Sequence, residues 1–474
     1  MDTANLQTTP PVTSRQRIFP LHLSPVESFM LADDQPGYPM TFVIHLQVAG
    51  QIDQPALEGA LAEALQRHPL LRALIKTAKG SLPCWTLLED PRPAMDWACD
   101  TVPATCPTDK PVDLTKEVGL RIWVRQGPDR ATVTLQFHHA CTDGTGAYRF
   151  IGDCLAGYGI RTTPGDHQPV FGEVDASLLR TRKDRAMSLS SCATRAQRTP
   201  LALREFWKIL RRQPAPLAPP GSAAHGSQAA DFPGFVCYSF DRTRHEYLRS
   251  VASAQGVTLN DLLLRDLFLT LDRWQGKRLS WFRPRRLRIM MPTELRGTED
   301  YAMPAANMVA YTFLACAVGD VRRPNELLRT IRDKTALIKH ERSGTLFMDM
   351  IYAASQVRWL LPFVLRRKLC MASAILSNVA DPSRRFTARL PRKAGRIVAG
   401  NLVLEEITGV PPLRPGTRAT FSISQYDRRL TISLRCDPHL FCMEDTASLL
   451  GLYVEQLSRS AADHSPQTTP SVPA

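Results

Sequence analysis

The segment from Gly119 to Gly144 constrains the fold more than any other part of this chain. Gly119–Arg125 alternates apolar and polar residues, Gly127-Pro128-Asp129 interrupts, and Ala131–His139 alternates again. This is the pattern of two antiparallel strands joined by a turn. A period of two puts Val133, Leu135, Phe137 and His139 on one face, and Thr132, Thr134, Gln136 and His138 on the other. The second strand runs straight into His138-His139-Ala140-Cys141-Thr142-Asp143-Gly144. Helical spacing follows over Ala147–Leu155, with Gly157-Tyr158-Gly159 as its expected stop.

Two histidines and an Asp-Gly in seven residues would arise by chance in on the order of one in a thousand such chains. His139 ends the apolar row. Partial burial there disfavours the imidazolium, so the ring is expected to be neutral and basic near pH 7, as a general base must be. Gly144 is expected to permit a tight turn or the close approach of a ligand. Plainer roles exist: His139 as a core residue, and Asp143 as the cap of the following helix. Metal binding is set aside, because neighbouring strand residues point to opposite faces and do not converge on one ion.

Strands are expected at Thr41–Val48, Phe235–Phe240, Leu287–Met291, Val309–Ala315, Ala419–Ser424 and Leu430–Arg435. Helical spacing covers Gln54–Ala73, Leu201–Arg212, Thr258–Trp274, capped by Thr258 or Asn260, and Asp445–Leu457. Strands and helices interleave in both halves, which argues an α/β or α+β fold. With 474 residues, two domains of ordinary size are expected. Residues 17–180 and 233–461 are read as the two lobes, and 181–232, rich in Pro, Ser and Arg, as the basic linker between them. Residues 1–16 and 462–474 are read as disordered tails.

Eleven scattered cysteines without a CxxC pair indicate reduced thiols and a cytoplasmic chain. No apolar leader is expected, and no spanning helix: the longest apolar run, Met348–Leu365, carries Asp349, Arg358 and Pro362. The net charge of +14 admits nucleic acid, a membrane surface or small polyanions as partners. Nucleic acid is set aside, since zinc-finger spacing, a P-loop and an aromatic RNA motif are all missing.

HHxxxDG at a strand end before a helix resembles the signature of the CoA-dependent acyltransferase superfamily. Chloramphenicol acetyltransferase, condensation domains, alcohol acetyltransferases and wax ester synthase/diacylglycerol acyltransferases belong to it. Further segments follow in family order: LSPVESFML (23–31), ALQRHPLLRA (64–73), GVTLNDLLL (256–264), MPTELRG (291–297), NMVAYTFL (307–314), LSNVADP (376–382) and SQYDRRLTISLRCDP (424–438). Three departures stand out. Glu27 replaces an Asp, Ala380-Asp381 replaces a residue and Gly, and Arg428-Arg429 fills a turn where Asn/Asp-Gly is common.

The resemblance implies two chloramphenicol-acetyltransferase-like lobes, each a mixed sheet flanked by helices, with a tunnel between them. It implies His139 as general base within a motif of His138, His139, Asp143 and Gly144. Asp143 would pair with Arg296 in bidentate geometry and fix the loop. Ser377, Asn378 and, less directly, Asn307 are candidate oxyanion donors. Cys141 is read as packing. The donor would be an acyl-CoA or a phosphopantetheine-linked acyl group, with no permanently bound cofactor and no metal. The acceptor would be an alcohol or amine.

Arginine clusters at 180–185, 204–212, 278–288, 366–368 and 384–396 suit CoA phosphates, an acidic carrier protein, or solvent alone. Leu201–Arg212 could instead lie peripherally on the inner membrane surface. The alternatives to a stand-alone acyltransferase are a free-standing nonribosomal-peptide condensation enzyme and a non-catalytic binding or scaffold protein on the same fold.

Overall fold

The computed structural model describes residues 18–105, 111–163, 168–182, 204, 211–220, 232–276, 286–341, 344–355, 360–366 and 369–462. Residues 1–17 and 463–474 lie outside that range, and so does nearly all of the Leu201–Arg212 segment; Ala462, expected in the tail, is helical. The first half of the chain contains β1 (Leu21–His22), α1 (Pro25–Asp33), β2 (Thr41–Ala49), α2 (Gln54–Arg67), β3 (Ala73–Lys76), β4 (Cys84–Leu87), β5 (Ala94–Cys99), β6 (Leu120–Gln126), β7 (Arg130–His138) and α3 (Gly144–Thr162). The second half contains β8 (Val236–Phe240), α4 (Arg242–Ala254), α5 (Leu259–Gln275), β9 (Arg286–Glu294), β10 (Val309–Ala317), α6 (Val318–Val321), α7 (Pro324–Glu341), α8 (Gly344–Ser355), α9 (Leu360–Arg366), β11 (Ala374–Ala380), β12 (Arg392–Lys393), β13 (Arg396–Ala399), β14 (Leu402–Val410), β15 (Ala419–Tyr426), β16 (Arg429–Cys436) and α10 (Met443–Ala462).

Two mixed sheets organise two lobes. The first has the order β12-β13-β14-β2-β7-β6-β5, the second β10-β9-β11-β15-β16-β8, and β1, β3 and β4 form a small third sheet. The expected hairpin is β6–β7, in register from Leu120–Phe137 to Gln126–Ala131. Its apolar face meets α2 and α3, where Leu46, Leu61, Val133, Leu135 and Ile151 share one core cluster. A second cluster lies under α5 and α10, built on Leu264, Leu267, Phe421, Ile432 and Tyr453.

Residues 392–410 depart from the expected division of the chain. β12–β14 join the first sheet, and β14 pairs antiparallel with β2 along its length. A boundary near 233 therefore does not separate the sheets. The physical gain is clear: β2 (TFVIHLQVA) would otherwise be a long apolar edge strand, open to pairing with other chains. Part of the expected linker is also docked. Leu217 is fully buried, Arg418 donates to its carbonyl (2.7 Å), and Ala215 N–H donates to Arg286 O (3.2 Å).

α3 does not stop at Gly157-Tyr158-Gly159; it continues to Thr162. These glycines serve packing instead. A Cβ at Gly157 would lie 3.3 Å from Ala60 on α2, and one at Gly159 would lie 2.7 Å from Pro169. Tyr158 between them accepts from Asp53 N–H at 3.0 Å and donates to Asn401 at 2.9 Å. Of the two candidate caps for α5, the structure uses Thr258, in a reciprocal capping box with Asp261. Among the described residues no helix is long and apolar enough to cross a membrane.

Candidate active site

His139 extends the β2–β7 ladder by one residue, its N–H donating to Met40 O at 2.8 Å. Its ring lies 5.0 Å from that of Phe42 and is 9% exposed. Asn307 reaches it from the second half of the chain. The Asn307 amide nitrogen donates to His139 O at 2.6 Å and sits 3.0 Å from Nδ1. Burial lowers the imidazole pKa to about 4, opposed by Asp143 and by the residue's own carbonyl, and aided by His138. The ring is therefore neutral at pH 7, as expected, and is a weaker base than an exposed imidazole.

His138 points the other way. Its Nδ1 accepts from Ala140 N–H at 3.1 Å, which puts the ring proton on Nε2. Nε2 faces Asp34 at 3.6 Å and is buried without a hydrogen bond. Cys141 is packed against Gly119, and burial pushes its thiol far above the usual range, as packing requires. Among the described residues no cluster of three or more His, Cys, Asp or Glu side chains could hold a metal ion.

Asp143 does both things the sequence allowed. Oδ1 caps α3 by accepting from Gly146 N–H at 2.8 Å. Oδ2 accepts from Arg296 Nη1 at 2.8 Å and Met308 N–H at 2.7 Å. Burial alone would raise this carboxyl, but the Arg296 charge and these hydrogen bonds hold it below the usual range. The expected bidentate pair is replaced by a single contact. Oδ1 is committed to the cap, and Arg296 spends Nη2 on Ala306 O (2.7 Å) while sharing Nη1 with Glu294 (2.8 Å).

Gly144 is not the tight spot: a Cβ there would meet nothing within 4 Å, and its φ is ordinary. Gly146 is. A Cβ on it would lie 2.3 Å from Thr142 Oγ1 and 3.0 Å from the backbone of Ala306. Asp143 N–H also donates to Ala306 O (3.2 Å). The motif and residues 305–308 are thus in backbone contact, and that contact needs glycine at 146.

Three residues were missed from sequence. Arg149 Nη1 donates to Asp300 O and Met303 O at 2.9 and 2.7 Å. His68, fully buried, accepts from Ala305 N–H through Nδ1 (2.8 Å) and faces Asp153 through Nε2 (3.1 Å). Asp153 is held in turn by Arg67 at 2.6 Å. Together they fix the loop that presents Asn307. A signal existed: Asp153 interrupts the apolar run FIGDCLAG, and buried carboxylates need partners.

Ser377 and Asn378 lie elsewhere, on β11 in the second sheet. Asn378 donates to Asn260 at 3.0 Å and accepts from Ala380 N–H at 3.0 Å. It lines an open cavity of about 980 Å³ between α4, the start of α5, α7 and the ends of β9 and β11. Of the three oxyanion candidates, only Asn307 is bonded to His139, and its amide hydrogens are turned to that residue.

A family model for the condensation domain matches residues 27–282, more than half of the chain. The chain belongs to the condensation domain family. Isonitrile lipopeptide synthase of Mycobacterium tuberculosis is 28% identical over 167 residues, which are 32% of this chain and 6% of that synthase. The chain thus spans a small fraction of that relative. The uncharacterized protein Rv2305 of the same organism is 24% identical over 366 residues, 74% of this chain and 78% of that protein.

Among solved structures, the first condensation domain of the calcium-dependent antibiotic synthetase, in complex with a substrate analogue, superposes with a TM-score of 0.65 at 15% identity. That match covers 94% of this chain and 96% of that one. A mutant starter condensation domain of rhizomide synthetase, in complex with C8-CoA and Leu-SNAC, gives 0.63 at 15% identity, covering 94% and 95%. At such identity the likeness concerns the fold, which is that of condensation domains. Condensation-type domains catalyse acyl or amide transfer.

Proposed function

We propose that the chain transfers an acyl group from a thioester, on CoA or on a phosphopantetheine arm, to an alcohol or amine, with His139 as general base. The observation that carries this reading is the buried imidazole at the end of β7, on a loop held by the Asp143–Arg296 contact. The acceptor O–H or N–H gives its proton to the ring. Its lone pair attacks the thioester carbonyl, the C–S bond of the tetrahedral intermediate breaks, and the proton passes to the departing thiolate. Base catalysis of this kind supplies roughly 10²–10⁴ in rate. Asp143 and Arg296 do not exchange protons. They set where His139 stands.

One contact supports a second reading of the same residue. With the Asn307 amide nitrogen facing Nδ1, the ring accepts there and carries its proton on Nε2. Such a ring donates a hydrogen bond to the oxyanion and leaves the acceptor's proton to another carrier. A base requires Nδ1–H, directed at the residue's own carbonyl.

Two variants separate the readings. In a product assay with acyl-CoA and a mixed alcohol and amine panel, His139→Ala abolishes transfer under both. His139→Gln keeps an N–H donor and loses the base, so it is as inactive as His139→Ala if the ring is a base. Partial activity in His139→Gln supports the oxyanion role. Near-normal turnover in His139→Ala overturns both, and no turnover of any donor in the parent chain favours a binding protein on this fold.

A further inference from the structure

The loop between α1 and β2, residues 34–40, reaches both motif histidines at one end and the second lobe at the other. Asp34 uses its two carboxylate oxygens separately. Oδ1 accepts from Met40 N–H at 2.8 Å, while Oδ2 faces His138 Nε2 at 3.6 Å. Met40 O in turn accepts from His139 N–H at 2.8 Å. One carboxylate therefore stands behind both histidines, across a gap toward His138 and through Met40 toward His139. The His138 ring is 1% exposed, and its Nε2–H is buried without a hydrogen bond, since 3.6 Å is too long for one. A buried donor without an acceptor is unfavourable, and a facing carboxylate is the neighbour that best offsets it.

The far end of the loop is anchored on residues that follow β16. Tyr38 O–H donates to Asp437 Oδ2 at 2.9 Å, and His439 Nε2–H donates to Gly37 O at 3.1 Å. The Tyr38 and His439 rings lie 5.3 Å apart. Burial and the Asp437 carboxylate push the Tyr38 hydroxyl up to about 12, so it remains a donor at neutral pH. A second anchor sits where the loop begins. Asp33, buried at the end of α1, pairs with the buried Arg414 between β14 and β15, Oδ1 to Nη2 being 2.9 Å. Within the loop, Tyr38 N–H donates to Gln35 O at 2.8 Å. Closed on itself and held from both sides, the loop has little slack. A shift of the 437–439 turn is passed to Asp34 and Met40, and through them to the histidines.

We propose that this loop is a positioning element for His139, with Asp34 and Tyr38 as its positioning residues, and that it makes the aim of the ring depend on how the second lobe is seated. The proposal rests on the acyl-transfer reading and adds two residues that set the rate without touching a reacting atom. Misplacing a catalytic group by about 1 Å can cost on the order of 10² in rate. The Tyr38–Asp437 contact spans 399 residues, so it forms only once both lobes are assembled.

The test compares Tyr38→Phe, Asp34→Asn and the double variant in the full chain. Tyr38→Phe removes one oxygen and Asp34→Asn one charge, so both are expected to fold, with urea midpoints close to the parent's. In each single variant kcat is expected to fall about tenfold, with KM for the acyl-CoA donor within about twofold of the parent's. Both residues act through one loop, so the double variant is expected to lose little more than the worse single one, whereas independent roles would multiply. In a chain carrying isotope-labelled histidine, the ring signals of His139, assigned with His139→Ala, are expected to move in Tyr38→Phe, although the lost hydroxyl is bonded to Asp437.

Parent-like kcat in both single variants overturns the proposal, as do losses that multiply in the double variant or His139 signals that stay in place. Ring signals that move in a chain whose parent turns over no donor sustain the role of the loop and overturn the acyl-transfer reading instead.

Discussion

The His139 loop and the cationic cavity, both reached from β9, are built on opposite principles. Around His139 the loop is tied by many hydrogen bonds: Asp143 accepts three, Ala306 O accepts two, and His68, Arg149 and Asp153 brace the loop from behind. The loop is buried, and Asp143 and Asp153 each face an arginine. At the cavity beside Asn378, Arg249, Lys339, Arg385 and Arg428 form no ion pair with any described residue, and Ala380 and Arg428 hold left-handed backbone. Chemistry that depends on aim calls for a rigid frame paid for by hydrogen bonds. Interfering with the first should cost stability and activity together, whereas interfering with the second should leave stability level or higher.

The largest effect on that contrast comes from Arg296→Ala. It removes the cation from a buried carboxylate and opens one acceptor at Ala306 O. Breaking one side of a buried pair costs about 3–5 kcal/mol. Asp143→Asn should also destabilise, because an amide in place of Oδ2 or Oδ1 turns a donor toward Met308 N–H or Gly146 N–H. Urea unfolding reads both, with acyl transfer falling in parallel. Unchanged unfolding midpoints in both variants would remove the frame from the account of the site.

Acid is the next lever. Burial lowers the His139 and His45 rings to about 4, and lowers His68 as well. Unfolded, such rings take up a proton near pH 6.5; folded, His139 and His45 do so only near 4. Between these values the unfolded chain holds more protons. Stability is therefore full above pH 6.5 and falls as pH drops toward 4, by about 1.4 kcal/mol per pH unit for each ring. His139→Ala should flatten the decline between pH 6.5 and 5 while leaving the fold intact at pH 7.5. An identical slope in parent and variant would mean that the ring titrates near its ordinary value.

These features were legible in the sequence to unequal degrees. The β6–β7 hairpin, the α5 cap and the strands at 309 and 419 follow from local period and local side chains, and they appear where expected. The Asp143–Arg296 contact spans 153 residues, and only the order of family motifs pointed to it. Residues 402–410 were not read as a strand. A bulge between Leu404 and Glu406 breaks the alternation that would announce one. The tie between His68 and Ala305 N–H left no trace either, because a hydrogen bond to a distant backbone amide imposes no pattern on the residues around it. Gly146 was passed over for Gly144, the glycine inside the motif, since sequence shows where a glycine is and not what comes near it.

The smallest expected effect belongs to the rim of the cavity beside Asn378. Ala380 holds φ 54° at the end of β11, where its N–H donates to Asn378 Oδ1. A left-handed L-residue costs roughly 1–2 kcal/mol, and glycine avoids most of that at the cost of extra entropy in the unfolded chain. Ala380→Gly should therefore raise stability by up to about 1 kcal/mol, visible as a higher urea midpoint with an unchanged slope. The contrast with the motif predicts this sign, since a glycine substitution into the backbone contact at Ala306 has no strain to relieve. A lower midpoint in Ala380→Gly would show that the alanine methyl is a packing contact and that the rim is as tightly fitted as the loop around His139.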